Sequence, residues 1–411
     1  MASMNRRTAL VALGGLPLCS QAAPAPLPVA AVVTEYRTNS HADVIIGKML
    51  EGWGQDGGKG PALKLVAMYV DQFTDRDLSR ALAKKHGFRI TRTIGEAITL
   101  GTSKVSVAGV LSIGEHGQYP YTKFTRQHMY PRRRFFDAIA DTFEKCGKAV
   151  PVFNDKHLAY NWTDAKHMYD RSRALKIPFM AGSSLPLAWR LPARALPRGA
   201  EIEAGMAVAY GGLESYGFHA LEMLQCLMER RKGGETGVAS VQVIKGKPIW
   251  KEEALGRWSF DLFLAAVQGA GRKMAAEKMR DIFEKKGALM LIEYRDGRRA
   301  AVAMANGVAR QFGAALKVRG QAQPFVNHFW LQDGKPYRHF EHLVRAIEPM
   351  IHTGKPSYPV ERTLLVTGIL DRVMHSAAED GRLFKTDELK IAYQPADWPF
   401  ANFNGRFPIP H

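Results

Sequence analysis

Between residues 29 and 182, short apolar runs alternate with stretches whose apolar positions recur every three to four residues. Val29–Val33 reads as a strand, and His41–Gly52 as a helix with Val44, Ile45, Met49 and Leu50 on one stripe. Leu63–Val70 reads as a second strand, followed by a helix over Asp75–His86 that Gly87 closes. Val105–Ile113, Ala149–Phe153 and Pro178–Ala181 read as further strands, separated by helices over Arg134–Cys146 and Thr163–Leu175. This rhythm predicts an α/β, Rossmann-like, doubly wound parallel sheet.

After Gly182 the rhythm changes. Pro186 to Pro197 carries three prolines and reads as a crossing between domains. Ile202–Tyr210, Val238–Ile244, Ala288–Tyr294, Ala300–Met304 and Phe325–Leu331 read as extended segments of an open, largely antiparallel sheet. Helices are expected over Gly217–Arg230, Glu341–Ile351 and Glu361–Ser376. The expected division is a leader and linker over 1–28, a Rossmann-like domain over 29–182, and a C-terminal α+β domain over 183–411 for substrate and oligomer contacts.

The leader is read from Met4-Asn5-Arg6-Arg7, the short apolar run Thr8–Leu18 and the small-residue site Ser20-Gln21-Ala22. The arginine pair allows a twin-arginine signal, so a periplasmic or secreted bacterial protein is expected. No apolar run is long enough to span a bilayer, so no membrane contact is expected beyond export. Three cysteines in 411 residues exclude a disulfide scaffold. The charge is +18, but the basic groups, densest at Arg132-Arg133-Arg134, are scattered and accompany no nucleic-acid motif. They read as a solvated basic surface, with no nucleic-acid partner.

Four segments in order resemble the glucose–fructose oxidoreductase and inositol dehydrogenase (Gfo/Idh/MocA) family. They are Asp75–Gly87 (DRDLSRALAKKHG), Gly147–Ala159 (GKAVPVFNDKHLA), Ser215–Glu222 (SYGFHALE) and Phe340–Ser376. The second is similar to the family's Glu-Lys-Pro-Leu-Ala strand end, the third to its Asp-x-Gly-x-His-x-x-Asp. The resemblance implies an oxidoreductase, with NAD or NADP, acting on a hydroxyl carbon of a sugar-like or polyol substrate, and a homo-oligomer. One departure stands out. Val33, Glu35 and Thr38 occupy the places of the three glycines that let a dinucleotide approach the first turn.

In a doubly wound sheet the crevice lies beyond the carboxyl ends of the strands. Glu35, Arg37, Thr38 and Asn39 follow the first strand, Asp71 the second, and Glu115-His116 the third, which makes them the candidate cofactor-binding residues. Through the resemblance, Lys156 and His219 are the candidate catalytic pair, with Asp155 in place of the family's Glu and Tyr216 beside them. Lysine and imidazole suit proton transfer because burial and neighbours shift their pKa values. His41, Glu115, His116, His157 and His219 are metal-type donors without metal-type spacing, so no metal is expected. Ser183-Ser184 lacks a nucleophile-elbow context. An alternative keeps the fold but rebuilds the nucleotide site into a charged, NAD-independent pocket for lyase, hydrolase or metal-dependent work on a carbohydrate. Another is a non-catalytic binding protein.

Overall fold

The computed structural model describes residues 25–332 and 334–397. The expected leader over 1–22 lies outside them. The first half runs β1 (Leu27–Val33), α1 (His41–Leu50), β2 (Leu63–Val70), α2 (Ser79–His86), β3 (Arg89–Thr91), α3 (Ile94–Thr99), β4 (Gly109–Ile113), α4 (Arg132–Cys146), β5 (Val152–Asp155), α5 (Trp162–Ala174) and β6 (Phe179–Gly182). These strands form one six-stranded parallel sheet in the order β3-β2-β1-β4-β5-β6. The order reverses between β1 and β4, so a crevice opens at their carboxyl ends.

Both faces of this sheet are covered, which is why β1 and β4 read as continuous apolar runs. Helices α3, α4 and α5 pack on one face through Phe135, Phe136, Ile139, Phe143 and Met168. The other face carries α1 and, from far along the chain, α10 (Arg338–Thr353), whose Leu343, Val344 and Ile347 share the core with Val29, Val33 and Ile45. Ser40 starts α1: its hydroxyl accepts the backbone N–H of Asp43 at 3.3 Å.

The second half contributes β7 (Trp189–Leu191), β8 (Ile202–Ala209), α6 (Ser215–Met228), β9 (Val238–Ile244), α7 (Pro248–Ala254), α8 (Phe260–Gly269), α9 (Ala276–Lys286), β10 (Ala288–Tyr294), β11 (Arg299–Met304), β12 (Phe312–Val318), β13 (Phe325–Trp330), α11 (Val360–Ala378) and β14 (Phe384–Lys385). Its eight-stranded sheet has the order β14-β9-β10-β11-β8-β12-β13-β7, and every pairing is antiparallel except β11 with β8. Helices α6 and α11 cover one face.

Helices α7 to α9 cover the other face with Ile249, Phe263, Ala266, Met279 and Phe283. The sequence reading passed over these three helices and over β12. Strand β12, Phe-Gly-Ala-Ala-Leu-Lys-Val, lacks the β-branched signal of a strand. Its Gly313 permits α8 to sit close: a side chain there would meet the Ala266 carbonyl oxygen at 2.3 Å. Elements β3 and α3 were also unread, and the strand expected over Val105–Ile113 is confined to Gly109–Ile113.

Candidate functional site

At the switch point the ends of β1 and β4 meet the first turns of α1 and α6 and the start of α10 around a cavity of about 290 Å3. His41, His116 and His219 line it, with Asn39, Tyr216 and Phe340 among their neighbours. A larger groove of about 680 Å3 runs over α4 and α5, where Arg133, Arg134, Asp137 and Asp164 are engaged in ion pairs. Its charged groups are already paired, whereas the smaller cavity sits at the switch point between β1 and β4 and is the better candidate.

Beneath the cavity lies a buried ionic network. Lys156 directly follows β5 with φ of +65°, a left-handed conformation that costs a non-glycine residue about 1–2 kcal/mol. Its backbone N–H bonds the Gly182 carbonyl, and its ammonium reaches Glu115 Oε1 at 2.9 Å and the Ser215 carbonyl at 3.2 Å. Glu115 also accepts from Arg132 Nη2. Burial pushes the Glu115 carboxyl up, but Lys156 and Arg132 hold it well below the ordinary range.

Arg132 belongs to no solvated patch. It is fully buried, and its Nη1 lies 3.0 Å from His157 Nε2. A guanidinium only donates, so this nitrogen accepts and the His157 proton sits on Nδ1. Gly182, at φ +129°, has a positional reason: a side chain there would meet Glu222 Oε2 at 2.8 Å and Thr363 Oγ1 at 2.9 Å.

The remaining expected residues separate into groups. His219 lines the cavity with its Nδ1 at 2.6 Å from Ser183 Oγ, and burial drives its pKa well down. Tyr216 is 40% exposed, lies edge-on to His219 and is stacked parallel to Phe312. Asp155 is buried and takes His41 Nδ1 at 2.6 Å. At the rim, Glu35 accepts from Arg37 Nε at 2.6 Å, and Arg37 Nη2 lies 3.4 Å from His116 Nδ1. Burial, then His41, pushes His116 down to about 3, so its imidazole is neutral. Asn39 accepts from the Tyr337 hydroxyl, and Thr38 is exposed.

Asp71 stands apart. It accepts from Tyr69, Tyr119 and Arg134, so the Gly117–Tyr130 segment is strapped across the end of β2. Gln72 and Gln118 fasten the same strap. No group of three histidine, cysteine or carboxylate side chains among the described residues is arranged to hold a metal ion. Sequence reasoning weighed Ser183 only as a nucleophile, read Arg132 as solvated surface, and weighed His41 only as a metal donor. The position of His41, first in a helix at the switch point, was the signal that marked it.

No protein-family model and no curated protein matches the chain. Solved structures do. GenD2 from gentamicin A biosynthesis, solved with NAD, is similar at 15% identity and TM-score 0.54, over 90% of this chain and 99% of that one. A scyllo-inositol dehydrogenase from Lactobacillus casei is similar at 10% identity and TM-score 0.54, over 89% and 99%. An oxidoreductase from Agrobacterium radiobacter, solved with NAD+, L-tartaric acid and magnesium, is similar at 14% identity and TM-score 0.51, over 87% and 98%. With a parallel sheet of order 3-2-1-4-5-6 followed by a largely antiparallel one, the chain has the fold of the Gfo/Idh/MocA-type oxidoreductases.

Proposed function

We propose that the protein is an oxidoreductase acting at a hydroxyl carbon of a sugar-like or polyol substrate, with NAD or NADP as its hydride carrier. The observation that carries this reading is the switch-point cavity itself. Its volume of about 290 Å3 lies at the small end of the roughly 300–1,000 Å3 of small-molecule pockets. Four imidazoles, of His41, His116, His219 and His339, and an aromatic wall of Tyr210, Tyr216 and Phe312 line it. The charged groups behind it balance: Lys156, Arg132 and Arg37 stand against Glu115, Glu35 and Asp155. A cavity so balanced suits an uncharged ligand better than an acid.

The residues present fit the reacting end of a dinucleotide. Asn39 and the α1 N-terminus face the cavity, and His116 and His219 close it. They do not offer the usual seat for the adenosine end, because Glu35 fills the glycine turn and Asp71 is held by the strap. A bound nicotinamide would supply a hydride acceptor. The chain's own part is to exclude water, orient the hydroxyl and hold its proton. Lys156, beneath the cavity at the backbone of Ser215 next to Tyr216, holds a positive charge behind the space where the oxygen becomes negative. His219 presents its Nε2 side to the same space.

The filled turn favours a second reading: proton abstraction or elimination on a carbohydrate in the same cavity, without a dinucleotide. Full-length protein incubated with a panel of sugars and polyols plus NAD+ or NADP+ separates the two. Reduced nicotinamide formed by wild type and lost in Lys156→Met supports the oxidoreductase. Substrate consumption that ignores the nucleotide supports the second reading. Export and self-association are proposed as well, on the arginine pair before the apolar run and on the family resemblance.

A further inference from the structure

We propose that His41, oriented by Asp155, is the general base of this site, its Nε2 taking the proton of a substrate hydroxyl. The inference rests on the hydroxyl-directed reading above and holds with or without a dinucleotide. Asp155 is 1% exposed and its Oδ2 lies 2.6 Å from His41 Nδ1. A carboxylate only accepts, so Nδ1 carries a proton, and in the neutral ring the lone pair is on Nε2, on the opposite side. That nitrogen has no hydrogen-bond partner among the described residues, and His41 lines the cavity. The ring is held edge-on between Phe340 at 5.1 Å and His116 at 5.3 Å. Its backbone is fixed as the first residue of α1, directly after the Ser40 cap.

His219, on another wall of the same cavity, has the opposite polarity. Ser183 Oγ accepts the Leu185 N–H at 3.0 Å, and we assign its own proton to the 2.6 Å contact with His219 Nδ1. The His219 proton therefore sits on Nε2 and donates into the cavity. One imidazole offers an acceptor and the other a donor, as a hydroxyl group requires. In the step itself the O–H bond breaks, its electron pair stays on oxygen, and an N–H bond forms at His41 Nε2. Asp155 neutralises the imidazolium, and nothing is oxidised or reduced in this step. Asp155, Glu115, His116, His219 and His339 are the titratable groups that act on His41. Asp155 is a positioning residue.

Nitrogen NMR of the full chain labelled with 15N-histidine tests the arrangement without any turnover. The expected result is a His41 resonance pair with the proton on Nδ1, shifting toward the Nε2 tautomer in Asp155→Asn. In the substrate panel, His41→Gln is expected to lower kcat/KM by about 10²–10⁴-fold while melting like wild type. Asp155→Asn is expected to lower it and displace the acid limb of its pH profile. An Nε2-protonated His41 in the wild type, or a His41→Gln variant within about threefold of wild-type kcat/KM, overturns the proposal. If no substrate turns over with a nucleotide, the oxidoreductase reading fails while the tautomer result still decides the dyad.

Discussion

Glu222 lies one helical turn beyond His219 and is fully buried beneath Gly182. Its Oε1 accepts from the Thr363 hydroxyl at 2.8 Å, and Oε2 has no hydrogen-bond partner among the described residues. Burial, against the pull of Arg362 and Thr363, raises its pKa from 4.5 to about 7. Such a group is protonated in the folded chain over a range where the unfolded chain has already lost the proton. The unfolded state then binds fewer protons, so stability falls as pH rises from about 4.5 to 7 and stops falling above that. The rise corresponds to about 3 kcal/mol.

Glu222→Gln removes the titration and keeps the acceptor for Thr363. Its fixed cost, from placing an amide N–H where Oε2 stood, is the same at every pH. Urea unfolding of both proteins across this range therefore isolates the charge. The variant is expected to gain about 3 kcal/mol relative to wild type between the acid and alkaline ends. Parallel pH curves for the two proteins would refute the reasoning, because Glu222 would then titrate as a solvated acid.

Lys156→Met is expected to lower turnover by about 10²–10⁴-fold, measured as initial rates on the substrate found by the panel. Glu115 keeps Arg132 in that variant, so its stability loss in urea should stay below the roughly 3–5 kcal/mol of a wholly broken buried pair. Arg132→Met removes a fully buried guanidinium from both Glu115 and His157 and should cost about 3–5 kcal/mol in the same assay. Loss of Arg132 with no change in midpoint contradicts the network. Gly182→Ala forces a side chain at φ +129° toward Glu222 and Thr363, and should cost more than about 1 kcal/mol, read as a lowered Tm.

The first sheet was legible because each of its strands is a short apolar run between amphipathic helices, and its order follows from that rhythm. The candidate residues were legible because in such a sheet the residues after each strand must converge: Glu115, Asp155 and Lys156 do so. What was not legible came from far along the chain. Phe340 and His339 reach the cavity on α10, and no local pattern ties that helix to α1. Arg132 read as surface because it stands in a run of three arginines, yet it turns inward at the start of α4 to meet Glu115. Asp71 read as a cofactor-binding residue from its place after β2, and its capture by Tyr119 depended on a strap whose path the sequence does not show.

The central claim, that the switch-point cavity binds a nicotinamide beside a hydroxyl-bearing substrate, is tested most directly by titrating NAD+ and NADP+ into 15N-histidine-labelled full-length protein. The account predicts saturable binding of one of them within about 1 μM–1 mM, shifting His116 and His219 and sparing His167 on α5. Absence of any shift with either nucleotide at concentrations of about 10 mM, well beyond that range, contradicts it.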